Sequence, residues 1–307
     1  MRIGFFGTPD FVVNYLDALF KSNNKISFIV TAPDKPKGRG QKITPPLPKQ
    51  FALEKKIPCF QPENIQDIDF VNLVKSFNTD IFIVIAYGKK LPQKILEIPE
   101  LGAFNVHFSL LPRWRGAAPV NWAILSGDTH TGVTIMKMDE GLDTGDIFLQ
   151  EKIEIGIYDT SIDVFNKLIP LGVELLMKGI EKLEHKDAKF IKQDESLATY
   201  AKPFKKTDGL INWSKDALSI HNMVRGLQPW PGAFTNIKDK LVKIWKTDII
   251  EDEGAPGRIE KINKSSVYIG TGNGILKIIE IQEEGKNRVS PVNFFTRYGF
   301  KIGDYIT

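Results

Sequence analysis

Cysteine is almost absent from the chain, with Cys59 the single example in 307 residues. One thiol cannot close an intrachain disulfide, and it excludes zinc and iron–sulfur sites that need several thiolates. This scarcity is typical of a protein of the reducing cytoplasm, where we expect it to act. We expect Cys59 itself to be buried.

Long hydrophobic runs and internal repeats are also absent. No apolar stretch reaches the roughly 18 residues of a membrane span. The chain reaches Pro9 and Asp10 too early for the core of a signal peptide. We therefore expect neither membrane insertion nor export. A hydrophobic fraction of 42% with 25% charged residues is typical of a globular protein, and the length predicts about two domains.

The net charge is small, +4, but it is unevenly distributed. Residues 34–56 carry seven Lys or Arg against two acidic residues, and residues 202–307 carry seventeen against twelve. The remainder has seventeen basic and twenty-three acidic residues. An acidic body with a basic loop and a basic C-terminal region favours a polyanionic partner held at particular places. Solvated surface lysines are the alternative interpretation.

The first half of the sequence alternates short apolar runs with amphipathic segments. Strands are predicted at residues 2–6, 26–31, 81–86 and 103–106, with helices between them. Residues 81–85 are apolar on both faces, as in a parallel sheet covered by helices. The pattern predicts an α/β fold with a doubly wound, Rossmann-like parallel sheet. Ligands of such sheets lie beyond the carboxyl ends of the strands, here after Ile85 and Val106.

The second half predicts a smaller domain of closely spaced strands. We predict a catalytic domain at residues 1–189 that contains a basic loop at 34–50. A polar linker at 190–208 and a C-terminal domain at 209–307 follow. A helix over residues 214–227 precedes several short β-rich runs, and their spacing favours a small β-barrel, OB-like in type.

The glycines of the first strand do not form a dinucleotide motif. Gly4 and Gly7 are spaced GxxG and are followed by Pro9, so the G-x-G-x-x-G fingerprint is missing. A tight turn between a strand and a helix is the favoured interpretation.

Asn105 and His107 stand at the end of a predicted interior strand. Their i, i+2 spacing directs both side chains to one face, where unpaired polar groups would be costly. An amide can donate to a developing oxyanion, and an imidazole can move protons near neutral pH. The pair therefore indicates acyl-type chemistry. The other histidines, His130, His185 and His221, are expected to be surface or structural residues.

A carboxylate partner for the imidazole is sought in residues 139–146, where glycines flank several acids. The spacing does not fit a calcium loop, because Gly141 and Gln150 occupy ligand positions. Asp143 is the central candidate, with Asp139 and Asp146 as alternatives. The sequence lacks a G-x-S-x-G motif and its one cysteine is distant, so direct transfer is favoured over covalent catalysis.

Residues 33–42 form a basic segment punctuated by Gly and Pro. It is interpreted either as an exposed, flexible loop or as a site for phosphates and a nucleic-acid end. The residues proposed to contact RNA are Lys35, Lys37, Arg39 and Lys42.

Several segments together resemble the methionyl-tRNA formyltransferase family. The most specific are Asn105-Val106-His107, residues 109–119 (SLLPRWRGAAP) and residues 138–145 (MDEGLDTG). Residues 2–9, 86–88 and 224–233 are also similar to that family, so the resemblance covers the whole chain. Phe108 departs from the pattern, since a small residue is expected there, and this affects the expected geometry of the loop.

The resemblance implies that 10-formyltetrahydrofolate donates a formyl group to the α-amine of methionyl-initiator tRNA for translation initiation. It implies a cytoplasmic enzyme without a metal ion, membrane contact or protein partner, which we expect to be a monomer. The implied catalytic group is Asn105, His107 and Asp143. The implied folate pocket is lined by Ser109, Leu110, Leu111 and Pro112 with Ala86, Tyr87 and Gly88. His107 either stabilises the oxyanion as an imidazolium or carries a proton from the amine to the leaving group.

Three rival functions remain at this stage. A related transferase could formylate a nucleotide-linked amine, which would not require the basic loop. A formyltetrahydrofolate hydrolase would use water in place of the amine. A non-catalytic tRNA-binding protein would leave Asn105, His107 and Asp143 without a purpose.

Overall fold

The computed structural model describes residues 1–37 and 42–306. Its contacts divide the chain into two compact units that alternate along the sequence. The first unit contains Met1–Gly116, Gly132–Ile153 and Asn166–Tyr200. The second contains Ala117–Thr131, Glu154–Phe165 and Ala201–Thr307. The division at a linker over 190–208 remains a prediction about the folding domains.

A seven-stranded sheet forms the centre of the first unit. With strands numbered along the chain, the order is β10-β9-β7-β6-β1-β2-β5. The bounds are β1 (Arg2–Gly7), β2 (Lys25–Val30), β5 (Cys59–Phe60), β6 (Ile81–Ile85), β7 (Ala103–His107), β9 (His130–Lys137) and β10 (Ile147–Glu154). β7, β6, β1, β2 and β5 pair in parallel, which confirms the predicted doubly wound sheet. β9 pairs antiparallel to β7 and extends the sheet.

Phenylalanine side chains dominate the core of the first unit. Phe6, Phe28 and Phe82 come from three neighbouring strands and pack against one another with ring centroids 5.1–5.8 Å apart. A Cβ atom on Gly4 would lie 2.5 Å from the Phe28 ring and 2.7 Å from the Phe82 ring. Gly4 is therefore required by aromatic packing inside β1.

Helices accompany this sheet, and their apolar faces are buried. Their bounds are α1 (Val13–Lys21), α2 (Leu47–Glu54), α3 (Ile68–Ser76), α4 (Gln93–Leu96) and α6 (Ser161–Glu184). Phe70, Val71 and Val74 of α3 belong to the same core as Phe6 and Phe82. All residues of β6 are buried, as expected for a strand covered on both faces.

The segment predicted as a basic loop contains regular structure. β3 (Lys35–Lys37) and β4 (Lys42–Thr44) pair as an antiparallel hairpin, and α2 begins at Leu47. The segment predicted as a basic loop over 34–50 thus includes two short strands and the start of a helix. Lys, Thr and Pro give no alternating hydrophobic pattern, so the sequence carries no signal for the two short strands.

Cys59 is half-buried, so the expectation that it is buried is met only in part. It lies in β5 at the edge of the main sheet, where a strand is covered less completely than inside. Burial nevertheless raises the pKa of its thiol to about 11.

The second unit contains a curled, five-stranded antiparallel sheet, a half-barrel, in the region where a small OB-like β-barrel was predicted. Its order is β12-β13-β16-β15-β14, and shifts of register near Lys246 mark bulges that curl the sheet. The bounds are β12 (Phe234–Ile237), β13 (Lys240–Ile250), β14 (Ile259–Ile262), β15 (Val267–Gly270) and β16 (Ile275–Glu283). The helices are α5 (Pro119–Leu125), α7 (Ala217–Gly226) and α8 (Pro291–Arg297). The remaining strands of the chain, β8 (Arg115–Gly116) and β11 (Tyr200–Ala201), have two residues each.

Within residues 1–37 and 42–306, no helix has both the length and the apolar character to cross a membrane.

Candidate active site

The carboxyl end of β7 carries Asn105 and His107 on one face. The i, i+2 spacing places the two side chains side by side, as the sequence predicted. His107 is 5% exposed, and its Nε2 lies 2.9 Å from the carbonyl oxygen of Trp114. A carbonyl oxygen can only accept, so Nε2 carries the hydrogen of this bond.

Asp143 reaches the same place from the loop that follows β9. Its Oδ1 accepts from Asn105 Nδ2 at 3.5 Å, and its Oδ2 lies 3.6 Å from Nδ1 of His107. The backbone N–H of Gly116 donates to Oδ2 at 2.8 Å. The three residues implied by the resemblance are therefore neighbours in space, although Asp143 is far from β7 in sequence.

Asp139 has a different task from Asp143. Its Oδ1 accepts from the N–H of Gly141 at 2.9 Å and from the Thr144 hydroxyl at 2.6 Å, which closes the loop. Asp146 accepts from the N–H of Lys137 through its backbone oxygen at 2.9 Å. Of the three acids considered, the structure brings Asp143 to the imidazole.

The segment after His107 is tied to the interior by its own polar groups. The Ser109 hydroxyl donates to the carbonyl of Arg113 at 2.6 Å, and the Thr134 hydroxyl donates to the carbonyl of Ser109 at 2.6 Å. Leu111 is buried, while Leu110 and Pro112 are partly exposed. The hydroxyl of Ser109 and the buried Leu111 side chain thus hold the shape of the predicted folate segment.

The second predicted folate segment follows β6. Tyr87 is buried and packs edge-on against Phe6 at 5.7 Å, and burial raises the pKa of its hydroxyl to about 12. Its side chain therefore belongs to the core. Ala86 and Gly88 are exposed and have φ angles of 46° and 83°. These two residues present backbone at the carboxyl end of the strand.

A cavity of about 770 Å³ lies beside the loop that carries Asp143. Met138, Asp139, Glu140 and Gly141 line one side of it, and Leu96 with neighbouring residues lines the other. Its volume is in the range of small-molecule sites. It does not include the residues predicted to bind folate.

Two sequence profiles match this chain and together cover most of it. The profile described as formyl transferase matches residues 1–180, and the profile described as formyl transferase, C-terminal domain, matches residues 203–299. The chain belongs to the formyl transferase family.

Curated relatives of this formyl transferase chain share nearly its full length. A methionyl-tRNA formyltransferase of Thermodesulfovibrio yellowstonii is 46% identical over 98% of this chain and 96% of its own. The methionyl-tRNA formyltransferase of Pelotomaculum thermopropionicum is 44% identical over 96% and 95%.

Solved structures support the fold at lower identity. An N-formyltransferase from Helicobacter canadensis, in complex with folinic acid and dTDP-3-aminofucose, is 21% identical, with a TM-score of 0.68 over 92% of this chain and 99% of its own. HypX from Aquifex aeolicus, in complex with tetrahydrofolic acid, is 18% identical, with a TM-score of 0.62. This chain is covered completely and corresponds to 50% of HypX.

Phe108 departs from the small residue expected in the formyl transferase family and is accommodated by packing. Its ring is buried and meets Phe11 edge to face, with centroids 5.5 Å apart. The turn after β7 is therefore closed by two aromatic rings.

The RNA contacts proposed for this formyl transferase are described only in part. Lys35 is exposed. Arg39 lies outside the described residues, as do the side chains of Lys37 and Lys42. Nearby, Lys49 binds the carboxylate of Asp34 at 2.8 Å, which lowers the pKa of that carboxyl. This pair is neutral, so the net positive charge of the segment comes from its other residues.

Several residues that hydrogen-bond to the backbone next to the candidate site could not be predicted from the sequence. Arg115, Gln193 and Thr199 surround the backbone next to His107 and Asp143, and the Thr199 hydroxyl accepts from the N–H of Trp114 at 2.9 Å. Gln193 and Thr199 belong to a polar segment without periodicity, which gave no signal for their contacts with Trp114, Arg115 and the Asp143 loop. No group of three His, Cys, Asp or Glu residues in the described part of the chain converges as metal ligands. The expectation of a reaction without a metal remains a prediction.

Proposed function

We propose that this protein transfers the formyl group of 10-formyltetrahydrofolate to the α-amine of methionyl-initiator tRNA. The proposal rests on sequence identity to named relatives together with the geometry of three polar residues. Relatives named methionyl-tRNA formyltransferase match nearly the whole chain at 44% and 46% identity, and Asn105, His107 and Asp143 meet at the end of β7.

The proposed reaction forms one bond and breaks another at the formyl carbon. The neutral amine of the methionyl group attacks this carbon, and the carbonyl oxygen becomes negative in a tetrahedral intermediate. The bond from the carbon to N10 of the folate then breaks, and the proton lost by the amine is transferred to N10. The enzyme therefore has to stabilise an oxyanion and move one proton.

Asn105 is proposed as the donor to the oxyanion. Its amide lies at the open end of the sheet and is partly exposed, whereas its contact with Asp143 is long at 3.5 Å. The weak bond to Asp143 orients the Asn105 amide and leaves its N–H groups available to a ligand oxygen. Preorganised donors of this kind typically accelerate acyl transfer by about 10² to 10³.

His107 is proposed to work through Nδ1. The Trp114 carbonyl occupies Nε2, so Nδ1 is the nitrogen that remains to exchange a proton. The carboxylate of Asp143 lies 3.6 Å from Nδ1 and faces that side of the ring. This arrangement serves both roles considered above, as an imidazolium near the oxyanion or as a carrier of the proton to N10.

Folate is proposed to bind beside this group, at the carboxyl ends of β6 and β7. We propose as contacts Ala86 and Gly88, which are exposed, and Leu110 and Pro112, which are partly exposed. The solved relatives in complex with folinic acid and tetrahydrofolic acid support a folate co-substrate.

The acceptor is proposed to be tRNA held by Lys35, Lys37, Arg39 and Lys42 and by the basic C-terminal region. We also propose that the protein acts in the cytoplasm as a monomer. These assignments rest on the charge distribution and on the names of the relatives.

The test is transfer of labelled formyl from 10-formyltetrahydrofolate to methionyl-initiator tRNA. Parallel reactions contain uncharged initiator tRNA, elongator methionyl-tRNA or a nucleotide-linked amino sugar. Formyl-methionyl product from the initiator alone is expected. Formylation of the amino sugar would show that the acceptor is a nucleotide-linked amine and not tRNA. Release of formate in the absence of any acceptor would indicate a hydrolase.

A further inference from the structure

The amide of Gln193 joins the loop of Asp143 to a buried arginine. Its Nε2 donates to the carbonyl oxygens of Asp143 at 2.9 Å and of Gly145 at 2.7 Å. Its Oε1 accepts from Nε of Arg115 at 3.0 Å and from Nη2 at 2.8 Å. All the hydrogen-bonding capacity of this amide is used in bonds to these two partners.

Arg115 fixes the direction in which this amide points. Its side chain has 0% exposure, and a guanidinium offers only donors. The oxygen of Gln193 must therefore face Arg115, and its NH₂ group must face the loop. On its other edge the guanidinium donates to both carboxylate oxygens of Glu195, at 2.7 and 2.8 Å. Glu195 is exposed and raises the pKa of Arg115 further.

The backbone around Arg115 holds the other parts of the catalytic group. The preceding carbonyl, of Trp114, accepts from His107, and the following N–H, of Gly116, donates to the carboxylate of Asp143. Three successive residues thus contact the histidine, the carboxylate and, through Gln193, the backbone of the aspartate. The φ angle of Asp143 is 55°, an unusual value for a residue other than glycine, so its backbone requires such support.

We propose that Gln193 is a positioning residue that fixes Asp143 against His107 for the formyl transfer proposed above, on which this inference rests. Gln193 does not touch the proposed reacting atoms. It acts by holding two carbonyl oxygens of the Asp143 loop. A displacement of about 1 Å in a catalytic group can cost about 10²-fold in rate, so release of the loop is expected to lower kcat.

Gln193→Glu is designed to disrupt the bonds to the Asp143 loop while it preserves the bonds to Arg115 and therefore the fold. The new carboxylate has nearly the same shape and still accepts from Arg115, so the buried guanidinium keeps its partners. The other carboxylate oxygen would face the carbonyl oxygens of Asp143 and Gly145 without a hydrogen to donate. Gln193→Met is a second variant, which removes both sets of bonds without adding charge.

Glu195→Gln is the matched control. It changes the other partner of Arg115 and has no contact with the Asp143 loop among the hydrogen bonds described above. Its kcat is expected to remain within about threefold of the unmodified enzyme. For Gln193→Glu, kcat is expected to fall roughly 10- to 10²-fold, with KM for folate and for charged tRNA within about threefold.

A second measurement does not depend on the reaction. The imidazole ¹⁵N signals of His107, recorded at neutral pH in the ligand-free protein, report the group that faces Nδ1. In Gln193→Glu they are expected to move toward the positions found in Asp143→Asn, and in Glu195→Gln they are expected to stay. Thermal unfolding of each variant shows that the protein is folded.

Unchanged kcat and unchanged His107 signals in both Gln193 variants would overturn the proposal, as would an equal loss of kcat in Glu195→Gln. If the unmodified protein formylates no acceptor, the proposed function fails, and the His107 signals alone decide whether Gln193 positions Asp143.

Discussion

Asn105, His107 and Asp143 differ in how firmly the fold holds them. His107 is held by the carbonyl of Trp114 at 2.9 Å and Asp143 by the N–H of Gly116 at 2.8 Å. Asn105 makes one long bond, and its amide is the most available of the three groups. Substitution of Asn105 should therefore remove chemistry with little effect on folding.

Asn105→Ala is expected to lower kcat by about 10² to 10³, because one preorganised donor to the oxyanion is lost. KM for the two substrates should change little. The measurement is steady-state formyl transfer, together with the thermal midpoint of the variant. A kcat within threefold of the unmodified enzyme would exclude Asn105 as the donor.

Asp143→Asn tests the carboxylate charge at nearly constant shape. The amide oxygen can still accept from Gly116, but the negative charge beside Nδ1 of His107 is lost. We expect kcat to fall by at least about 10-fold. Asp139→Asn, which changes an acid of the same loop that binds Thr144, serves as the comparison. An equal loss in both variants would indicate that the loop, and not the charge, was disturbed.

At the scale of elements, periodic segments were predictable from the sequence and short polar ones were not. β1, β2, β6 and β7 lie where alternating or continuous apolar residues predicted them. The β3–β4 hairpin was missed because it has no such pattern. Asn105 and His107 could be singled out as candidates because polar residues at the end of a buried strand are conspicuous. Gln193 was not, because its contact with the Asp143 loop arises only when distant segments fold together.

The Phe108–Phe11 contact predicts a local contribution to stability. Phe108→Ala removes a buried ring from the turn after β7 and should lower the free energy of unfolding by about 3 kcal/mol. Phe20→Ala, at a ring that is 45% exposed, should cost much less. Chemical denaturation of both variants measures the difference. Equal losses would show that the contact is not specific to this turn.

α7 contributes a buried histidine to the second unit. Nδ1 of His221 lies 2.9 Å from the Thr247 hydroxyl, and Nε2 lies 2.9 Å from the carbonyl of Ile157. Burial lowers the pKa of His221, and the charge of Arg225 acts in the same direction, while Ile157 and Asp248 oppose it. The unfolded chain therefore binds a proton at this residue more readily than the folded one.

Stability is thus expected to fall as the pH drops below the ordinary histidine pKa of about 6.5, and to go on falling until the lower folded pKa is passed. His221→Gln should flatten this part of the stability profile, because glutamine does not titrate. The measurement is the free energy of unfolding as a function of pH, with His185→Gln, an exposed position, as the comparison. A profile that keeps its slope in His221→Gln would rule out this residue as the cause.

At the scale of the whole molecule, the two proposed substrates are expected to depend differently on the basic residues of the protein. A net charge of +4 is too small to attract RNA by itself, and the basic residues are concentrated in the segment after β2 and in the C-terminal region. The transfer of a formyl group from folate requires neither of these two clusters of basic residues. Changes in the basic segment should therefore affect tRNA and leave the folate site intact.

Charge reversal in the basic segment is expected to raise KM for charged tRNA. Arg39→Glu and Lys35→Glu should each reduce the slope of log affinity against log salt concentration by about 1 for every phosphate that the variant no longer binds. KM for 10-formyltetrahydrofolate should stay constant. Lys25→Glu, an exposed lysine at the start of β2, makes the same change of net charge at the opposite end of that strand. An equal effect of Lys25→Glu would point to overall charge instead of a binding loop.

The distribution of tryptophan over the two units has an optical consequence. Of the five tryptophans, only Trp114 belongs to the first unit. Its ring lies under the guanidinium of Arg113 at 4.4 Å, and its carbonyl binds His107. Ordinary fluorescence emission therefore reports mainly the second unit. A variant that retains Trp114 alone would emit from the residue whose carbonyl binds His107, and we expect its spectrum to change if substrates bind beside that histidine.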